Sequence, residues 1–295
     1  MVEYMAYFEV PEIDYTRYSN RQLAAVPLVV LAVALLVLSG SFLAYGTPVP
    51  LGMDFAGGTE LTVQTTTSEG QISAAFDEQP ESVTGTGGSN QYIVQFSSTD
   101  SQALSDQAEA NLDQDGDAEI VQSVSSTSAS FGQQSQQTAL MGLVVAFIGM
   151  SAIAFLLFRT FVPSIAIVIS AFSDLMIPLA FMRLAGIPLS LGTVAGLLML
   201  IGYSVDSDIL LNNHILRRSG DFYESTHRAM RTGITMTVTS MAAMLVMGVA
   251  AFLLGIDLLA SIGIILFVGL ATDLLNTYML NLSLLRWYKF EGIRS

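Results

Sequence analysis

Six long runs of apolar residues constrain this chain more than any other feature of its sequence. The runs cover residues 24–45, 139–158, 162–182, 189–212, 232–254 and 257–285. Each is long enough to cross the hydrocarbon core of a bilayer, about 30 Å thick, as a helix of roughly 20 residues. Only 12% of the residues are charged, whereas soluble domains average about 25%. The sequence therefore predicts an integral membrane protein, with its first helix at 24–45 and helices two to six within 139–286.

The distribution of basic residues predicts the orientation. If the helices alternate, ten of the eleven basic residues fall on one side of the membrane. They are Arg17, Arg21, Arg159, Arg217, Arg218, Arg228, Arg231, Arg286, Lys289 and Arg294. The other side then has only Arg183. Because basic loops stay in the cytoplasm, we expect residues 1–23 and 287–295 to be cytoplasmic and residues 46–138 to lie outside a multi-pass cell-membrane protein.

Residues 46–138 are strongly acidic. They contain thirteen Asp and Glu residues and neither Lys nor Arg, so they carry −13 of the chain's net charge of −14. Such self-repulsion destabilises a small fold in dilute buffer, but salt screens it, because the Debye length falls to about 3 Å at 1 M. We interpret the acidity as adaptation to salt. A docking surface for a basic partner is the alternative, which the scattered positions of the acids favour less.

The pattern within this segment predicts a small α+β domain. A strand at 59–65 is followed by a helix at 70–79, strands at 81–86 and 91–96, a helix at 101–113 and a strand at 118–124. The turn Gly87-Gly88-Ser89-Asn90 separates the two middle strands. This β-α-β-β-α-β order is the split βαβ, or ferredoxin-like, arrangement. Residues 123–137, rich in Ser, Thr and Gln, are expected to be a linker into the second helix.

The sequence has few of the residue types that carry enzyme chemistry. It has no cysteine and only two histidines, His214 and His227, neither of which has a partner at metal-ligand spacing. It also lacks a phosphate-binding glycine loop, a catalytic Ser/His/Asp pattern and a basic patch for nucleic acid. We therefore expect no enzymatic activity, no cofactor, no metal and no nucleic-acid partner.

Two short motifs resemble those of a known family. The first comprises Asp54, Phe55, Gly57, Gly58 and Thr59, between the first helix and the outside domain. It resembles the D-F-x-G-G-T signature of the SecD/SecF protein-export family. The second begins with Gly202, Tyr203 and Ser204 in helix four and resembles the family's G-Y-S-V-N-D segment. The short outside segment favours the SecF branch of the family, and the pattern looks like its archaeal members.

The resemblance implies a fold and a set of partners. The fold is a bundle of six transmembrane helices, half of a twelve-helix exporter unit, with one ferredoxin-like domain outside. The partners are a SecD-like six-helix subunit, the SecY channel complex, exported unfolded polypeptide and the lipid bilayer. In this family an ion gradient, such as the proton motive force, moves the outside domains and helps to draw exported chains across the membrane.

Five ionisable residues are the candidates for ion coupling, because a charge inside the membrane is costly and functional by default. They are Asp174, Asp206, Asp208, Asp273 and Arg231. Asp206 and Asp208 are about 200° apart around a helix, so they do not face one point. We favour Asp206, since it lies nearest to the polar pair of the family motif. That motif is altered here, with Ser207 in place of its aspartate, which leaves open which carboxylate carries the ion.

Three functions are compatible with the sequence. The first is an ion-coupled export subunit, with either H⁺ or Na⁺ as the ion. The second is a small-molecule exporter of the same superfamily, which the 93-residue outside segment argues against, because such exporters have much larger outside domains. The third is a passive scaffold of the export machinery, in which the carboxylates only hold helices together.

Overall fold

The computed structural model describes residues 15–85, 90–217 and 221–292. In chain order its helices are α1 (Asn20–Tyr45), α2 (Met53–Ala56), α3 (Glu69–Ile72), α4 (Ser101–Asn111), α5 (Ala129–Phe158), α6 (Phe161–Ala185), α7 (Leu191–Arg217), α8 (Phe222–Leu253), α9 (Asp257–Leu275) and α10 (Leu282–Trp287). Its strands are β1 (Gly58–Gln64), β2 (Ser82–Gly85), β3 (Gln91–Phe96) and β4 (Val121–Thr127). The predicted turn residues Gly87, Gly88 and Ser89, together with residues 1–14, Arg218 and Arg294, lie outside the described residues.

Six stretches of the described chain are long and apolar enough to cross a membrane. They are α1, α5, α6, α7, α8 and the continuous helical stretch Asp257–Gly292. This confirms the six predicted spans. About half of the side chains of α6, α7 and the last span are buried, whereas α5 and α8 leave most of theirs exposed. Apolar side chains on such outer helices are compatible with lipid tails, which are as apolar as leucine.

The last span is not a regular α-helix. A π-helical turn, Asn276–Asn281, joins α9 to α10, and a second π-helical turn follows at Tyr288–Gly292. A π turn widens the helix locally, and such turns occur frequently at functional sites.

The α+β domain between α1 and α5 is a four-stranded sheet covered by helices. Its strand order is β2-β3-β1-β4, and all neighbouring strands are antiparallel. This order confirms the predicted split βαβ arrangement. The core between sheet and helices consists of Leu61, Val63, Ile72, Phe76, Val94, Phe96, Leu104, Ala108 and Leu112. It is separate from the core of the membrane helices, so the domain has a hydrophobic interior of its own.

The chain passes from the domain into the second span without the expected linker. Strand β4 extends to Thr127, Ser128 caps the next helix by accepting a hydrogen bond from the Phe131 N–H, and α5 begins at Ala129. The prediction of a linker at 123–137 is therefore wrong. Its polar residues form an edge strand and the first turns of a 30-residue helix, which is about 45 Å long and extends beyond the hydrocarbon core.

Candidate ion site within the helix bundle

Three aspartates from three different spans are buried inside the helix bundle. Asp174 on α6 is 1% exposed, Asp208 on α7 is 0% exposed and Asp273 on α9 is 1% exposed. Asp174 lies at the middle of α6. Because charges at this depth have no water to solvate them, their cost must be offset by hydrogen bonds or by a bound positive charge.

Asp174 is held by two neutral donors. The Ser204 hydroxyl donates to its Oδ2 at 2.5 Å, and the Asn276 amide donates to its Oδ1 at 2.5 Å. Ser173 in turn donates to Asn276 Oδ1 at 3.3 Å, which fixes the orientation of that amide. Asp174 therefore connects α6 to α7 through Ser204 and to the π turn through Asn276.

Asp208 and Asp273 share one hydroxyl group. Thr277 Oγ1 lies 2.9 Å from Asp208 Oδ1 and 3.2 Å from Asp273 Oδ1. Asn281 also donates to Asp208 Oδ1, at 2.7 Å, and Ser207 donates to Asp273 Oδ1 at 2.7 Å. The carboxyl groups of α7 and α9 are thus linked through neutral side chains.

The network contains fewer hydroxyl protons than close oxygen–oxygen contacts. The Ser207 hydroxyl lies within 3.2 Å of the Ser204 carbonyl oxygen, of one oxygen of Asp273 and of the Thr277 hydroxyl. The Thr277 hydroxyl also lies within 3.2 Å of one oxygen each of Asp208 and Asp273. Each hydroxyl supplies only one proton. Some of these close oxygen–oxygen contacts therefore need a further proton, and protonation of a carboxyl group supplies it.

Several buried oxygen atoms remain unsatisfied among the described residues. Oδ2 of Asp208, Oδ2 of Asp273 and Oδ1 of Asn281 have no hydrogen-bond partner there. An unsatisfied buried oxygen costs about 1–3 kcal/mol, and more when it is charged. The arrangement is therefore suited to taking up positive charge. Within the described parts of the chain, no three His, Asp or Glu side chains are placed to hold a metal ion.

Sequence reasoning did not identify the neutral partners on the π turn. Asn276, Thr277 and Asn281 lie on the π turn that joins α9 to α10, and each donates a hydrogen bond to a carboxylate. A signal was present in the sequence, since these three polar residues interrupt the apolar run 257–285. An α-helical period already places Thr277 and Asn281 on the face of Asp273, at i+4 and i+8.

Asp206, which its motif position favoured, lies apart from the three buried aspartates. Asp206 is exposed on the side of α7 opposite to Asp208, so it does not lie within the buried network. Gly202 and Tyr203 are exposed on the same part of α7, whereas Ser204 is buried against Asp174. Arg231, the basic residue among the five candidates, is exposed in the first third of α8. The described hydrogen bonds to the three buried carboxylates come from the neutral side chains of Ser204, Ser207, Asn276, Thr277 and Asn281.

The residues of the first motif lie at the boundary between the membrane helices and the α+β domain. Phe55 is 3% exposed and belongs to the core of the membrane helices. Gly57 and Gly58 have φ values of +83° and +133°, which side chains other than glycine rarely adopt. Thr59 is buried in β1, where its hydroxyl donates to the Ser126 hydroxyl of β4 at 3.4 Å. The motif thus forms the connection between the two parts of the molecule.

Comparison with known proteins identifies the family. The model "Protein export membrane protein SecD/SecF, C-terminal" matches residues 107–291, and the "SecD/SecF GG Motif" matches residues 42–69. The chain belongs to the SecD/SecF family. The first match contains all three buried aspartates, and the second contains the D-F-x-G-G-T signature.

Curated SecF proteins of archaea resemble the chain over almost its whole length. SecF of Haloferax volcanii is 61% identical over 98% of this chain and 99% of its own length, and SecF of Haloquadratum walsbyi is 58% identical over 98% and 99%. SecF of Pyrococcus furiosus is 36% identical over 90% of each chain. Haloarchaeal relatives fit the interpretation of the acidic domain as adapted to salt.

Solved structures support the fold. The crystal structure of SecDF from Thermus thermophilus, described as a translocon-associated membrane protein, matches 95% of this chain with a TM-score of 0.71 and 21% identity. A SecDF structure in a super-membrane-facing form matches 97% with a TM-score of 0.60. The chain spans about two-fifths of the length of each, 39% and 40%. Its fold thus corresponds to one part of a larger export protein.

Proposed function

We propose that this SecF-family subunit couples a proton gradient to a late step of protein export. The observation that carries the proposal is the buried network of Asp174, Asp208 and Asp273, in which the donors are neutral side chains and hydroxyl protons are too few. The oxygen–oxygen distances of 2.7 Å between Ser207 and Asp273 and 2.9 Å between Thr277 and Asp208 are those of hydrogen bonds. A proton fits between such oxygens, whereas Na⁺ would have to separate them. The geometry therefore favours H⁺ over Na⁺ as the coupling ion.

Protonation changes the forces between spans α7 and α9. With Asp208 and Asp273 both ionised, their repulsion in a poorly screened interior separates the two helices. A proton on either carboxyl group removes this repulsion and adds a donor to the network around Thr277. The two protonation states thus favour different positions of α7 relative to α9. An ion gradient that protonates and deprotonates the site can therefore drive movement of α7.

A SecD-like subunit is the partner that fits the outer surface of α7. Asp206 is exposed on this transmembrane helix, and an exposed charge facing lipid is costly. A second six-helix subunit with a basic or hydrogen-bonding side chain at this depth offsets that cost. In the proposed assembly both termini are cytoplasmic, the acidic domain is outside, and the complex acts on unfolded polypeptide emerging from the SecY channel.

An export assay tests this function. Membrane vesicles containing SecY, the SecD-like subunit and this chain are given a precursor protein, with and without a proton gradient. We expect Asp208→Asn and Asp273→Asn to reduce export to the level seen without a gradient. Asp257→Asn is the matched control, because Asp257 lies on the same helix as Asp273 but is exposed at its first turn. A passive scaffold predicts unchanged gradient-dependent export in all variants.

A further inference from the structure

The segment that enters the outside domain is bonded directly to the start of α7. The Gly52 N–H donates to the Leu189 carbonyl oxygen at 2.8 Å, and the Leu189 N–H donates to the Pro50 carbonyl oxygen at 2.7 Å. These two bonds form a short parallel bridge between residues 51 and 189. The chain on the domain side of α1 is therefore fixed to the loop that precedes α7.

Asp54 extends this connection to the helix itself. Its Oδ2 accepts a hydrogen bond from the Leu191 N–H at 3.1 Å, at the first residue of α7. Ser190 and Thr193 satisfy other N-terminal groups, since the Ser190 hydroxyl accepts from the Thr193 N–H and the Thr193 hydroxyl accepts from the Ser190 N–H. A carboxylate at a helix N-terminus also interacts favourably with the helix dipole.

The glycines at the other end of the motif are in close backbone contact with α5 and the sheet. A Cβ on Gly57 would lie 2.9 Å from the backbone of Ala129 on α5, and a Cβ on Gly58 would lie 2.2 Å from the Phe96 carbonyl oxygen on β3. A Cβ on Gly132 would lie 2.8 Å from the Phe55 carbonyl oxygen. The motif therefore contacts α5, α7 and the sheet simultaneously, with backbone against backbone.

We infer that Asp54 is a positioning residue that transmits movement of α7 to the outside domain. Leu191 is the residue of α7 that Asp54 holds, and Asp208 of the buried network is seventeen residues further along, about 25 Å at 1.5 Å per residue. When α7 shifts along its axis, its first residue Leu191 moves with it and displaces Asp54. Asp54 lies only four residues before β1 begins. This inference rests on the proposed function, which supplies the movement.

Distance measurements between spin labels test the inference. The chain has no cysteine, so Ala110→Cys on α4 and Ala185→Cys at the end of α6, both exposed, provide two labelling sites without background. The labelled chain, assembled with its SecD-like subunit in vesicles, is measured with and without a proton gradient. We expect the gradient to change the distance distribution in the otherwise unaltered protein and not in Asp54→Ala, while proton flux through Asp54→Ala is retained.

Controls separate failure of the inference from failure of the proposed function. Glu109→Ala removes one exposed acid from the same domain and should respond to the gradient as the unaltered protein does. Asp54→Asn keeps an oxygen acceptor and should show a partial response. A full response in Asp54→Ala overturns the inference and leaves the proposed function intact. Absence of both flux and response in the unaltered protein overturns both.

Discussion

The Thr277 hydroxyl contacts two buried carboxylates, so removing this hydroxyl alters the site without changing its charge. Thr277→Val keeps the shape of the side chain, but leaves Asp208 and Asp273 without their shared contact. The loss of a hydrogen bond to a charged group costs about 1.5–3 kcal/mol, so we expect proton flux to change by about tenfold or more. Thr272→Val is the control, because the Thr272 hydroxyl donates only to the Val268 carbonyl oxygen of its own helix. Equal flux in the two variants would contradict this role.

Tyr15 gives a pH-dependent prediction outside the membrane spans. Its phenol is 6% exposed and donates to the Met230 sulfur at 3.4 Å, and burial raises its pKa to about 12 from about 10 in an unfolded chain. Because the neutral form is favoured in the fold, its stabilisation is complete below pH 10 and is lost as the pH rises towards 12. The free energy of unfolding should therefore fall more steeply between pH 9 and 12 in the unaltered protein than in Tyr15→Phe.

Sequence reasoning identified charged site residues more readily than neutral ones. Asp174, Asp208 and Asp273 were found because a carboxylate in an apolar run is rare. Their neutral partners were missed, because Ser, Thr and Asn also occur in transmembrane helices for reasons of packing. Motif position pointed to Asp206, but it does not reveal which side of α7 is buried, and Asp206 is exposed.

At the scale of elements, the contact between α5 and the glycine motif is the most sharply defined. Gly132→Ala places a methyl group within 2.8 Å of the Phe55 carbonyl oxygen, whereas Gly142 on the same helix has nothing within 4 Å of an added Cβ. We expect Gly132→Ala to destabilise the protein by about 1–3 kcal/mol because of this overpacking. Gly142→Ala should have little effect or a slightly stabilising one. Thermal unfolding in detergent distinguishes the two variants.

The elements themselves were largely predictable, and their junctions were not. Run length fixed the six spans, and alternation fixed β1. The junction between β4 and α5 was missed because its Ser-, Thr- and Gln-rich composition is typical of linkers, although Ser128 is a good helix cap. The π turn was missed because a local change of helical period leaves no distinct pattern in one sequence.

At the scale of the whole molecule, charge is distributed very unevenly. Residues 46–138 carry −13 of the net charge of −14, so the repulsion among them should depend on salt far more than that among the membrane helices. We predict that lowering salt from about 2 M to 0.1 M, where the Debye length grows to about 10 Å, weakens hydrogen-exchange protection in β1–β4 first. Equal loss of protection in α6 and α7, or none in the sheet, would contradict salt adaptation.

The central claim is that the buried carboxylates, and not exposed Asp206, carry the coupling proton. Proton flux into vesicles containing this chain and its SecD-like subunit, driven by a pH gradient with no Na⁺ present, tests it most directly. We predict that flux is lost in Asp208→Asn and Asp273→Asn and is retained in Asp257→Asn. Flux that persists in Asp208→Asn and Asp273→Asn but disappears in Asp206→Asn, with the complex intact, would show that Asp206 carries the proton instead.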